Sequence, residues 1–207
     1  MTFTNSADST RAIAEFWRWF QGHAETLKRI RSSESTEYTE LEGQLAKLSP
    51  DIDVEIGGNP AHETLDLIFT AHGDASQFAL IDQIVSSAPP LAGWRVLALK
   101  PPLLEELLVQ FEDEEISTND IWIRTTSNWV PPDPLRLEVA LSVDSEMQQD
   151  PNRQFAASIA IESFLGERAY ALEIKVEAFV EAPSDPDLEG FVRLEYVAHR
   201  LGLSRLQ

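Results

Sequence analysis

The apolar residues of this chain change their spacing from helical to alternating and back, and that change limits the fold more than any other feature. Over residues 11–30 they recur at helical spacing. At 100° per residue, Ile13, Phe16, Trp17, Phe20, Ala24 and Leu27 share one face, and Trp19, His23 and Ile30 form a second stripe beside it. The apolar arc is broader than a surface helix usually carries. Arg11, Arg18, Glu25 and Arg29 hold the opposite side, and Ser9 is the expected N-cap. A second helix is expected over 34–48, with Tyr38, Leu41, Leu45 and Leu48 inward and a stop at Ser49-Pro50.

From residue 52 the period becomes two. Ile52, Val54 and Ile56 alternate with Asp53 and Glu55, and Leu65, Leu67 and Phe69 alternate with Asp66 and Thr70. The turn residues Gly57-Gly58-Asn59-Pro60 separate the two runs. Gly73-Asp74 then opens a helix over 75–87, and Trp94 begins a strand running to Lys100. The second half repeats this order. Residues 121–126 read as a strand, and Leu135, Leu137, Val139, Leu141 and Val143 alternate with polar residues. Asp150-Pro151 starts a helix that Gly166 closes, and Leu172, Ile174, Val176 and Ala178 make the last alternating run. The tail 184–202 fits both a helix and, through Val192, Leu194 and Tyr196, a strand. The placement of Pro186 and Gly202 favours the helix.

Charges on every second residue do not suit a sheet covered on both faces. The expected fold is therefore α+β: a two-layer sandwich with a mixed, largely antiparallel sheet and helices on one face. It contains a ββαβ unit and the outline of a second, as a single domain over 1–207 with the helical segment 1–50 packed on it.

With 35 acidic against 16 basic residues, the chain carries a formal charge of −19. Such a polyanion repels phosphate backbones, so nucleic acid is not an expected partner. Residues 1–31 run against the trend, with five basic side chains to three acidic. Residues 101–123 contain no Lys or Arg but seven acids, Glu105, Glu106, Glu112, Asp113, Glu114, Glu115 and Asp120. An acidic solvated loop is the simplest reading of that segment, and a docking surface for a basic partner is the sharper one. The absence of cysteine removes disulfides, thiolate metal sites and a cysteine nucleophile. No apolar run reaches membrane-spanning length, and the N-terminus lacks the pattern of a secretory signal, so a cytoplasmic protein is expected.

Chemistry is sparse. No two of His23, His62, His72 and His199 stand three or four residues apart, so no helical metal pair exists. Nucleotide-binding and nucleophile-elbow motifs are lacking as well. No catalytic residue, metal or cofactor is therefore assigned. The residues singled out for binding are Trp19 and His23 on the flank of the first helix, Trp122 facing away from Ile121 and Ile123, Trp129 before Pro131-Pro132, and Lys100 at a strand end. An alternative site combines His62, His72 and Asp74 around one strand.

Four stretches carry a resemblance. They are Phe16-Trp17-Arg18-Trp19-Phe20, the run from Ser49 to Ile56, the run from Ala88 to Val96, and Leu165-Gly166-Glu167 before an alternating strand. Together they resemble a family of bacterial proteins known only as a domain of unknown function. The resemblance implies a single-domain bacterial α+β protein and supplies no substrate or catalytic residues. The leading expectation is a non-catalytic binding or regulatory protein, its partner a basic protein or a second copy docked through the first helix. The alternative is an enzyme or small-molecule binder with a histidine–carboxylate site between sheet and helices. A third idea, an inhibitor that mimics a polyanion, expects the acids of 105–120 to form one exposed stripe.

Overall fold

The computed structural model describes residues 6–30, 32–58, 64–126, 129–141 and 150–203. It has the α+β character that the change of period implies, arranged as two compact units, residues 1–100 and 101–207.

In the first unit, helix α1 (Ser6–Leu27) and helix α2 (Thr36–Leu45) precede strands β1 (Asp53–Gly57) and β2 (Leu65–Thr70). Helix α3 (Phe78–Ser86) and strand β3 (Trp94–Ala98) follow. The sheet order is β1-β2-β3, with the first pair antiparallel and the second parallel. α1 begins before Ser9, which lies inside the helix rather than at its cap. Its wide arc is used within the unit: Ile13, Phe16, Trp17, Phe20 and Leu27 are all buried. Phe16 and Trp17 meet Phe69 of β2 edge-on, each at 5.8 Å between ring centroids, and Phe20 meets Trp94 at 5.3 Å. The Trp17 indole N–H donates to the Ile84 carbonyl at 2.9 Å and so ties α1 to α3. α2 starts at Ser35, whose side chain accepts from the Tyr38 N–H.

The second unit repeats the topology. Strands β6 (Ile121–Thr125), β7 (Leu135–Leu141) and β8 (Ile174–Val180) form a sheet in that order, again antiparallel then parallel. Between β7 and β8 lie helices α4 (Pro151–Leu165) and α5 (Glu167–Glu173). Asp150 caps α4 by accepting from the Asn152 and Arg153 N–H groups. Gly166, at φ +85°, separates α4 from α5 with a backbone conformation that a side chain would resist. Ile121, Ile123, Leu135, Leu137, Val139 and Leu141 share a core with Ala156, Ala160, Ile161 and Phe164 of α4 and Leu194 and Val197 of helix α6 (Leu194–Arg200). The alternation read in the sequence is therefore the alternation of core and solvent faces along β6 and β7.

Three further expectations change. The acidic segment is not a loop: it folds into strands β4 (Leu108–Phe111) and β5 (Glu114–Ser117), an antiparallel hairpin against α4. Its two-residue turn, Glu112-Asp113, holds Glu112 at φ +51°. Leu172 belongs to α5 instead of opening the last strand, because α5 fills the space between Gly166 and Ile174. The tail is helical only over Leu194–Arg200. Val192 exchanges two backbone hydrogen bonds of 2.8 Å with Ile123, which holds it extended on β6 and delays the helix. Val143, placed by sequence on the strand that became β7, lies outside the described residues.

Candidate functional site

Two groups of side chains stand out, one in each unit. In the first unit, β1 directs Asp53 and Glu55 to the face opposite Val54. β2 is followed by a turn in which His72 (φ +50°) and Gly73 (φ +84°) are both left-handed. That turn brings the His72 Nε2 to 2.8 Å from an Asp53 carboxylate oxygen, so Nε2–H donates to it. Lys100, just past β3, places its ammonium 3.2 Å from Glu55. Tyr38 of α2 donates its hydroxyl to the Val54 carbonyl. Partial burial, then the charges of Glu42, Glu55 and Asp53, push that hydroxyl above its ordinary pKa. Acidic and basic side chains thus alternate along one face of β1. The group is open to water: His72 and Asp53 side chains are 57% and 61% exposed.

Asp74 does not join His72. Its carboxylate accepts from the Ser76 N–H at 2.9 Å, and hydrogen bonding by the Ser76 side chain, then by that N–H, lowers its pKa. His62 lies outside the described residues. Trp19 and His23 are stacked at 4.4 Å on the flank of α1, both half-buried. The His23 Nδ1 lies 2.7 Å from the Trp19 carbonyl, which can only accept, so Nδ1 carries the proton. Among the described residues no three His, Asp or Glu side chains are grouped to hold a metal ion. No described helix is long and apolar enough to cross a membrane.

The second unit holds the remaining predicted residues. Trp122 faces away from Ile121 and Ile123, as the alternation requires, and the Arg193 guanidinium lies 3.5 Å above its ring. Arg193 also donates to the Asn119 carbonyl, so the pair pins the chain after Val192 across β6. Trp129 donates its indole N–H to the Asp133 carbonyl and lies 5.7 Å from Arg200, which also reaches Tyr196. These tryptophans are engaged from within their own unit.

The hairpin is the feature that sequence reasoning identified as charge but not as structure. Of its seven acids and flankers, Glu105, Glu106, Glu112, Asp113, Glu115 and Asp120 are exposed. Glu114 alone turns inward, where it pairs with Arg153 of α4. The Arg153 Nε is buried with no hydrogen-bond partner among the described residues. Leu108 is 62% exposed on the face turned away from α4, and on the other face Phe155 of α4, 53% exposed, meets Phe111 at 4.7 Å. Cross-strand pairs hold the carboxylates in place: Gln110 donates to Glu115 at 3.0 Å, and the Ser117 hydroxyl to Glu106 at 3.3 Å. The signal available in sequence was the weak alternation Leu108-Val109-Gln110-Phe111, which the surrounding carboxylates obscure.

Comparison with protein-family models, with curated proteins and with solved structures finds no match.

Proposed function

We propose that this chain is a non-catalytic protein-binding protein of the bacterial cytoplasm and that its partner is a basic protein received on the β4–β5 hairpin. The observation that carries the reading is the disposition of the 105–120 acids. Six of them stand in solvent on and beside one hairpin, and Arg153 of α4, which contacts that hairpin, is turned inward onto Glu114. A cationic surface approaching from outside meets several exposed carboxylates at short range, which steers encounter and fixes orientation.

Apolar exposure supports the same half of the chain. Among the described residues all seven large apolar side chains that are exposed, from Leu103 to Tyr196, belong to the second unit. Interfaces need such anchors within a polar rim. Docking of a second copy through α1 has less support, since the apolar arc of that helix packs on β2, α3 and β3.

The test is capture of a partner from a bacterial lysate by the full chain, at salt of about 0.05 M and about 0.5 M. A Glu106→Lys/Glu112→Lys/Asp113→Lys/Glu115→Lys variant is run in parallel. The reading expects a basic protein retained at low salt, released at high salt and absent from the variant. Capture that is indifferent to salt, equal capture by the variant, or no capture at low salt would overturn it.

A further inference from the structure

The way the hairpin is hydrogen-bonded says what form a basic partner takes on it. In an antiparallel pair, residues that exchange hydrogen bonds alternate with residues whose N–H and C=O point outward. The phase here is fixed by the bond from the Thr118 N–H to the Leu107 carbonyl, 3.0 Å. Counting along the register from that pair, Val109 bonds with Ile116 and Phe111 with Glu114. Leu108 and Gln110 therefore direct their N–H and C=O groups away from β5. The sheet has two strands only, and both residues are exposed. Among the described residues no backbone bond is made to those outward groups.

An open strand edge is a template for another strand, and proteins normally blunt it with charge. The guards here are all of one sign. Glu106 precedes β4, Glu112 and Asp113 form the tip, and Glu115 lies across from Gln110. Such an edge repels an acidic strand, gives a neutral one no return for desolvating its carboxylates and attracts a basic one, so the device that prevents indiscriminate pairing selects the partner. Leu108, 62% exposed on the outer face, supplies an apolar platform beside the edge. Side chains of an added strand alternate across the sheet, so one set can rest on Leu108 while the backbone extends the ladder.

We infer that the β4 edge is a strand-addition site for an extended basic segment of another protein, with Lys or Arg alternating with apolar residues. Main-chain bonds to Leu108 and Gln110 give the register, and the carboxylates give the selectivity. The inference rests on the basic-partner reading above and narrows it from a charged surface to a backbone edge.

The experiment uses the full chain and a synthetic peptide of alternating lysine and valine, about seven residues long, the length of an ordinary strand. A second peptide of the same sequence and charge is N-methylated at every amide, which removes its donors. Affinity is measured at low salt together with hydrogen exchange at the Leu108 and Gln110 amides. The expected result is binding of the first peptide, slowed exchange at both amides, and affinity for the methylated peptide lower by about tenfold or more. Equal binding of both peptides with unchanged exchange would overturn the strand-addition site and leave electrostatic docking in place. Failure of both peptides, with a salt-sensitive basic partner still captured from lysate, would overturn it likewise. Failure of both peptides and of the capture would remove the basic-partner reading as well.

Discussion

Replacing Arg153 by methionine removes the base that pairs with the inward-turned acid of the hairpin, Glu114. Methionine keeps most of the apolar stem and removes the guanidinium. The side chains of Arg153 and Glu114 are 10% and 16% exposed, so Glu114 loses its counter-charge while largely shielded from water. Removing one partner of a fully buried pair costs about 3–5 kcal/mol. The remaining exposure of Glu114 softens this, and a loss of about 2–3 kcal/mol is expected for Arg153→Met. The pair itself is poorly satisfied, because the Arg153 Nε lacks an acceptor. Replacing both members, Arg153→Met with Glu114→Leu, should therefore fall within about 1 kcal/mol of the parent. Urea unfolding at neutral pH, read as a double-mutant cycle, measures the difference. If the single substitution costs no more than the double, a stranded Glu114 charge is not what destabilises the variant, and the reasoning fails.

Three smaller effects follow from contacts made elsewhere. Trp17→Phe removes the bond from α1 to the Ile84 carbonyl and should cost about 1–2 kcal/mol in urea unfolding. Asp150→Ala leaves the first turn of α4 without its acceptor and should cost about 1 kcal/mol, measured the same way. Hydrogen bonds from Arg136 and Thr126 lower the pKa of Glu177. A depressed carboxylate contributes stability above its unfolded pKa and loses it as pH falls through the folded value. Arg136→Gln should raise the Glu177 pKa in an NMR titration and flatten the acid side of the stability profile; an unchanged titration would refute the assignment.

The two ββαβ units were legible because strand and helix periods differ and because caps stand where the period switches. Asp74 and Asp150 sit at those boundaries: Asp150 caps α4, and Asp74 caps the 3-10 turn Ala75–Gln77 that leads into α3. The burial of Trp17 and Trp94, and the opposite orientation of Trp122, follow from the same periodicities. What periodicity could not supply was the hairpin. β4 and β5 are four residues each, and the carboxylates around Leu108 and Ile116 outweigh their apolar signal. The strand-like hold on Val192 depends on Ile123, nearly seventy residues earlier, so no local pattern distinguishes it from the helix that begins two residues later. The first-unit cluster was half visible. Lys100 was picked as a cation at a strand end and His72 as part of a site with His62 and Asp74, but their partners, Glu55 and Asp53, are set by the pairing of β1 with β2 and the turn after it.

The most direct measurement is the footprint of a captured basic partner on the full chain, read by hydrogen exchange. Protection confined to residues 105–120, strongest at Leu108 and Gln110, is the expected result. Protection falling only within residues 6–100, with exchange in the hairpin unchanged, would contradict the account.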